Sequence, residues 1–285
     1  VAMTVALVTG CSTGIGYATA LRLARDGHHV VATMRTPDAC DLAVVAKTEG
    51  LPVEVRALDV NDGDAVDAVV ADALKAHGAV DVLVNNAGVG GSGHASEEEG
   101  VEGFRAVLET NLFGALRCTQ AVLPSMRERG SGWIVNITSE AGQIVAPGMA
   151  PYCASKWALE AASEALAIEV ASLGIRVAII EPGTIMTPIW GKADLTPPTG
   201  AYAPVRNRLV AFIMADLAHA SAASEVADCV AEAITTNPPR LRWLVGHGAQ
   251  RNIAARAGLT DEEYVELWNQ PDEEKFLRTF AGPDS

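Results

Sequence analysis

Tyr152 and Lys156 stand four positions apart in the run Tyr-Cys-Ala-Ser-Lys. On a helix that spacing puts both side chains on one face, a turn apart. An ammonium there stabilises phenolate and lowers the tyrosine pKa toward working pH, as a general acid–base requires. Ser139 follows the apolar run Trp133–Thr138. A hydroxyl at the carboxyl edge of such a strand is placed to hold a carbonyl beside the phenol. Asn111 falls in the middle of a long helical pattern, where asparagine is unfavourable. Alone it reads as a helix-surface residue; with the others it anchors a water, through its side chain or a local backbone distortion.

The run from Thr9 to Gly16 supplies a second chemistry. Gly10 takes a tight turn, Gly14 lets backbone approach a pyrophosphate, and Gly16 permits close helix–strand packing. The helix start that follows offers free N–H groups and a positive dipole to the anion. The spacing is Gly-x-x-x-Gly-x-Gly, which differs from the G-x-G-x-x-G fingerprint; a plain glycine-rich turn is the other reading. About 20 residues on, at the end of the second strand, a carboxylate would accept from a free ribose hydroxyl and select NAD. Ala32-Thr33-Met34-Arg35 has no acid there. An arginine pairs instead with a 2′-phosphate, and the Ser12 hydroxyl adds to the same phosphate, so NADP(H) is expected over NAD(H). A solvated loop cation is the alternative for Arg35.

These residues need a scaffold, and the chain shows one. Apolar runs at Val5–Thr9, Val30–Met34, Val53–Val60, Val80–Asn85, Trp133–Thr138, Ile175–Glu181 and Leu241–Val245 read as strands. Helical patterns at Gly14–Asp26, Asp38–Glu49, Asp62–His77, Val101–Arg129, Ala150–Leu173 and Ser224–Thr235 fall between them. Strands alternating with helices predict an α/β fold: a Rossmann-type, doubly wound, seven-stranded parallel sheet. Apolar residues throughout several strands fit a sheet covered on both faces. No repeat or composition break divides the chain. One catalytic domain is expected over residues 1–249, with residues 250–285 as an acidic helical tail packed on it or on a partner subunit. Residues 186–220, interrupted by Pro188, Pro197, Pro198 and Pro204, read as an irregular substrate lid.

Composition excludes other classes. The 285 residues are 49% hydrophobic and 20% charged, as in ordinary globular proteins. A net charge of −14 opposes binding to a phosphate backbone, which wants a basic face. From Asp261 to Ser285, eight acids against two bases read as a solvated surface. No apolar run reaches the ~18–20 residues a bilayer span needs. No secretory signal is read at the amino end, which lacks a basic region and an apolar segment. Five scattered cysteines without CxxC spacing point to a reducing, cytoplasmic setting. Six histidines without ligand spacing predict no metal site.

Together the motifs resemble the short-chain dehydrogenase/reductase family, in its single-domain branch. The resemblance rests on Thr9–Gly16, Asp59, Asn85-Asn86-Ala87-Gly88, Asn111, Ser139, Tyr152, Lys156 and Pro182-Gly183 with Thr187, in the family's order. It implies that Tyr152 exchanges the proton, Lys156 binds the nicotinamide ribose and depresses the Tyr152 pKa, Ser139 orients the carbonyl and Asn111 maintains a water relay. It further implies a cofactor cleft formed by Gly10, Ser12, Thr13, Gly14, Ile15, Gly16 and Arg35. Asp59 and Val60 would contact the adenine, Asn86, Ala87 and Gly88 would line the cleft, and Pro182, Gly183, Ile185 and Thr187 would face the nicotinamide end. Arg35 after Met34 looks like the arrangement in NADP-preferring members related to hydroxysteroid dehydrogenases. A homodimer or homotetramer through the helices carrying Asn111 and Tyr152 is implied as well.

In this family the segment after Pro182-Gly183 usually folds over the substrate. Here it holds Ile189, Trp190, Tyr202, Leu209, Phe212, Ile213 and Met214, which suggests a bulky hydrophobic alcohol or ketone; the same side chains also suit packing of the lid onto the sheet. Trp268, Phe276 and Phe280 in the tail have three possible places: the same domain, a second subunit or the pocket. A non-catalytic dinucleotide-binding sensor or scaffold is the alternative function. Among enzymes, the alternatives are an NAD-dependent alcohol dehydrogenase and a 3-oxoacyl reductase.

Overall fold

The computed structural model describes residues 4–192 and 199–281. In chain order the strands are β1 (Val5–Thr9), β2 (His29–Met34), β3 (Val53–Ala57), β4 (Val82–Asn85), β5 (Gly132–Ile137), β6 (Ile175–Pro182), the short β7 (Ile185–Met186) and β8 (Ser221–Ala222), and β9 (Arg242–Val245). The helices are α1 (Gly14–Arg25), α2 (Leu42–Glu49), α3 (Gly63–His77), α4 (Ser96–Leu108), α5 (Ala115–Arg129), α6 (Ala150–Val170), α7 (Ala203–Leu217), α8 (Ala223–Thr235), α9 (Ala249–Ala257), α10 (Asp261–Trp268) and α11 (Glu273–Ala281). Seven strands form one parallel sheet in the order β3-β2-β1-β4-β5-β6-β9. The fold is α/β and Rossmann-like. Strand order reverses between β1 and β4, and in such sheets ligands bind outside the carboxyl ends at that point.

Both faces of the sheet are covered, which is why its central strands are apolar on both sides. On one face Ala20, Leu23 and Ala24 of α1, Leu42 of α2 and Val226 and Val230 of α8 pack on Val8, Ala32 and Val135. On the other, Val66 and Val70 of α3, Cys118, Val122 and Met126 of α5 and Val170 of α6 pack on Leu7, Val31, Leu83 and Ile134. Cys11, Cys118, Cys153 and Cys229 are buried and free, and serve as small apolar residues. Among the described residues no helix is long and apolar enough to cross a membrane.

Several boundaries differ from the sequence expectation. The pattern Val101–Arg129 is three segments: α4 begins at Ser96, where Glu98 caps the Ala95 N–H, a π-helical turn spans Glu109–Gly114, and α5 follows. The expected helix Asp38–Glu49 divides into a 3-10 turn (Pro37–Ala39) and α2. The edge strand β3 ends at Ala57, short of Val60. Residues 186–220 are not irregular throughout, because Pro204 starts α7 in its first turn, where no N–H is needed. Pro197 and Pro198 lie outside the described residues. The tail forms three helices. Tyr264, Trp268, Phe276 and Phe280 close a separate aromatic core on Phe212 of α7, so they pack on their own chain. The division expected at 249/250 falls at the first residue of α9.

The turn from α6 into β6 shows how tightly the layers meet. Gly174 has φ +74°, and a Cβ there would lie 2.1 Å from the Gly130 carbonyl oxygen. A left-handed conformation costs an L-residue roughly 1–2 kcal/mol before any clash. Gly174→Ala is therefore expected to lower the thermal midpoint by roughly 4 °C or more, read by calorimetry. An unchanged midpoint would refute this close approach.

Candidate active site

The carboxyl ends of β1 and β4 are stitched together. Thr9 Oγ1 accepts from the backbone N–H groups of Asn86 and Ala87, both at 3.0 Å. Asn86 Nδ2 donates in return to the Thr9 and Gly10 carbonyls at 2.8 and 3.2 Å. Gly16 packs against this knot: a Cβ on it would meet Asn86 Nδ2 at 2.3 Å and the Gly10 oxygen at 2.5 Å. The first turn of α1 carries no acidic residue, and the Thr13 side chain does not cap it. Its free N–H groups are therefore a donor set suited to a pyrophosphate.

A cavity of 410 Å³ opens at this switch point. Every residue proposed from sequence for cofactor or catalysis lines it except Gly16, behind the turn, and Asn111, beneath the floor. Arg35 lies at the tip of β2, and Asp59 and Val60 beside it; Pro182, Gly183, Ile185 and Thr187 close the other end. Asn61, Thr110 and Thr138 also line the cavity and went unread in the sequence. Each adjoins a recognised residue or motif, and none had a spacing signal of its own.

Ser139, Tyr152 and Lys156 line this cavity together. Ser139 ends the loop after β5, and its Oγ accepts the Ala141 N–H at 3.1 Å. Lys156 Nζ lies 5.7 Å from the Tyr152 ring centre and donates to the Ile137 carbonyl at 2.9 Å. A hydroxyl, a phenol and an ammonium thus share a space with an anion-binding helix start.

Comparison with known proteins agrees with that geometry. The family model described as short chain dehydrogenase matches residues 4–197. The chain belongs to the short-chain dehydrogenase/reductase family. An oxidoreductase of Bacillus subtilis (strain 168) named YusZ, described as uncharacterized, is 33% identical over 262 residues, spanning 89% of this chain and 92% of its own. A short-chain dehydrogenase structure from Streptomyces avermitilis superposes with a TM-score of 0.81 at 37% identity, covering 94% of this chain and 98% of its own. An actinorhodin polyketide ketoreductase solved with NADPH gives a TM-score of 0.73 at 33% identity, covering 85% and 95%. The protein is accordingly an oxidoreductase acting on CH–OH groups with NAD(P).

In this dehydrogenase Asn111 occupies the π-helical turn, buried. Its Oδ1 accepts the Val89 N–H at 2.8 Å, and its Nδ2 donates to the Val89 carbonyl and to Ser155 Oγ, both at 3.0 Å. Ser155 Oγ donates to the Tyr152 carbonyl at 2.7 Å. Both amide protons are thus committed to protein, and they brace the loop after β4 against the helix that carries Tyr152. Irregular backbone, one of two sequence readings, is what places it.

The lid residues divide. Ile189 and Trp190 line the cavity, and Trp190 Nε1 donates to the Ile185 carbonyl at 2.8 Å. Phe212 packs in the tail's aromatic core with Ile213 at its margin, Met214 is exposed, and Leu209 is buried. Tyr202 bonds to Glu97 at the surface. These five side chains do not line the cavity, so of the two sequence readings the substrate-facing one holds only for Ile189 and Trp190. Far away, at the amino ends of β2 and β3, His29, Glu54 and His77 gather from distant positions, and Glu54 is also paired with Arg56. Linear spacing could not reveal that trio, which has no part in the cavity.

Burial also acts on protonation within the enzyme. Burial pushes the Tyr152 phenol up to about 12, with the Ser139 hydroxyl opposing. Burial also pulls Lys156 down to about 8, against the pull of the Glu160 charge. Burial sets the direction for both groups in this arrangement. Beside Ser139, burial raises the Glu140 carboxyl from 4.5 to about 8, the Asn252 amide opposing and the Asp216 charge adding. The folded state therefore holds this proton more tightly than the unfolded chain. That stabilisation is complete below about pH 4.5 and is lost as pH rises through about 8. Glu140→Gln removes the titration while keeping the shape. Its thermal midpoint, relative to the wild type, is expected to climb from about pH 5 to about pH 8, whereas a constant offset would contradict a raised carboxyl.

Proposed function

We propose that this enzyme interconverts a bulky hydrophobic ketone or aldehyde and its alcohol with NADP(H), using Tyr152 as general acid–base. The convergence of Ser139, Tyr152 and Lys156 in one cavity with the glycine turn and Arg35 carries the reading. The non-catalytic sensor reading predicts loss of that set, and all three side chains are in place.

The bound cofactor supplies or accepts the hydride. The chain's own residues do the rest. The first turn of α1 holds the pyrophosphate through its free N–H groups, with Ser12 and Thr13 beside them. Arg35 pairs with the 2′-phosphate, and no acid at the β2 tip repels it. Lys156 holds the nicotinamide ribose. Ser139 donates to the substrate carbonyl and fixes it beside Tyr152, whose hydroxyl gives its proton to the developing alkoxide and takes it back in oxidation. Asn111 braces the helix under Tyr152 through Ser155. Ile189 and Trp190 give the substrate end an apolar wall and support a bulky hydrophobic compound. The NADPH of the ketoreductase neighbour supports the cofactor assignment.

Tyr152→Phe is expected to lower kcat by ~10²–10⁴-fold on a panel of hydrophobic ketones while the NADPH Kd and melting temperature hold. Turnover persisting in the folded variant would overturn the role of Tyr152; a wild type that binds NADPH and turns over nothing would favour the sensor. The wild type is expected to show higher kcat/KM with NADPH than with NADH. Arg35→Asp should shift that ratio toward NADH by roughly 10- to 100-fold, the worth of a charge-assisted bond. A wild-type preference for NADH would defeat the assignment of Arg35.

A further inference from the structure

Two buried side chains, Asn252 and Tyr264, tie the C-terminal helices to the catalytic loop. Asn252 of α9 is 0% exposed. Its Nδ2 donates to Glu140 Oε2 at 3.0 Å and to Asp216 Oδ2 at 3.1 Å. Its Oδ1 accepts from Arg251 Nε and Nη2 at 3.3 Å. One amide thus joins the turn that follows Ser139, the helix α7 of the lid segment, and the tail. Asp216 is held from two further sides: Oδ1 accepts from Arg251 Nη2 at 2.6 Å, and Oδ2 accepts from Thr184 Oγ1 at 3.3 Å. Thr184 follows Gly183 of the cavity wall, and its backbone is fixed to His247 and Ser221.

The arrangement is tight at each end. Glu140 starts a short turn whose backbone N–H groups at Ala141 and Gly142 bond Ser139 Oγ and Ser139 O, at 3.1 and 2.8 Å. A shift of Glu140 therefore shifts Ser139. Two carboxyl groups flank the amide, and without it Glu140 would lose its donor in a buried place while Asp216 would lose one of its own. A second tie runs in parallel: Tyr264 Oη of α10 donates to the Val145 carbonyl at 2.5 Å, on the same loop.

We propose that Asn252 is a positioning residue that sets Ser139 against Tyr152 and locks α7 to the catalytic loop, which makes the C-terminal helices a working part of the substrate side. This rests on the assignment of Ser139 and Tyr152 to carbonyl reduction. No residue of α9 lines the cavity, so its effect runs through Glu140 and Asp216.

The test compares wild type, Asn252→Asp, which is isosteric and lacks both donors, and Asn252→Asp combined with Glu140→Gln, whose amide returns a donor to the contact between α9 and the catalytic loop. Wild-type turnover of hydrophobic ketones with NADPH is measured first and judges the reaction by itself. In Asn252→Asp, kcat is expected to fall at least tenfold, since a misplacement of about 1 Å can cost roughly 10²-fold. The NADPH Kd should stay within about twofold, and the double variant should recover most of kcat. A folded Asn252→Asp with unchanged kcat overturns the proposal, as does a loss matched by equal loss of NADPH affinity or one the double variant leaves unrepaired. Crystal structures of wild type and Asn252→Asp decide the positioning even if no ketone is turned over: a displaced Ser139 supports it, and superposable Ser139 positions refute it.

Discussion

The site depends on what happens where β1 and β4 part. A doubly wound sheet must diverge at that point, because its connections leave in opposite directions, and the divergence exposes backbone groups that no strand can satisfy. Thr9 and Asn86 satisfy them side chain to main chain, at 2.8 to 3.2 Å, and hold the glycine turn against the loop after β4. The crevice stays open with these strand ends tied together. Gly16 is the only kind of residue that fits against Asn86 there, so glycine spacing and crevice shape are one constraint.

From that crevice outward, the catalytic side is organised by buried polar groups that must find partners. Asn85 donates to Asn136 at 2.8 Å across neighbouring strands and to Thr119 at 3.0 Å, and Asn136 donates to Ser163 on α6 at 2.7 Å. Asn111 ties the loop after β4 to the same helix. Asn252 repeats the device on the substrate side. Each amide joins elements distant in sequence, and leaving any of its bonds unmade would cost about 1–3 kcal/mol. Such networks hold side chains in one arrangement, which a reaction needing Ser139, Tyr152 and Lys156 together requires.

The same burial explains the altered protonation. Lys156 and Tyr152 lie where charge is expensive, so the lysine moves down and the phenol up, while Glu140 keeps a proton that an exposed glutamate would lose. The aromatic residues of residues 186–220 and the tail follow a different logic. Phe212, Trp268, Phe276 and Phe280 stack edge to face and form a small core of their own, leaving Ile189 and Trp190 to shape the cavity.

By itself the sequence determined the sheet, the glycine turn and the Ser139–Tyr152–Lys156 set. These are written in local periodicity and short spacings, and the central strands can be nothing but apolar when both their faces are covered. Pro204 was legible only as an interruption, because the helix it starts is recognised by what packs on it. Asn111 was conspicuous as an unfavourable helix residue, yet its partners Val89 and Ser155 lie 22 and 44 positions away. Only the tertiary structure decided which aromatic side chains line the cavity, how burial moves Tyr152 and Lys156, and that Asn252 reaches Glu140 from 112 positions away. Desolvation and long-range pairing are properties of the space between elements, and that space exists only once they have packed.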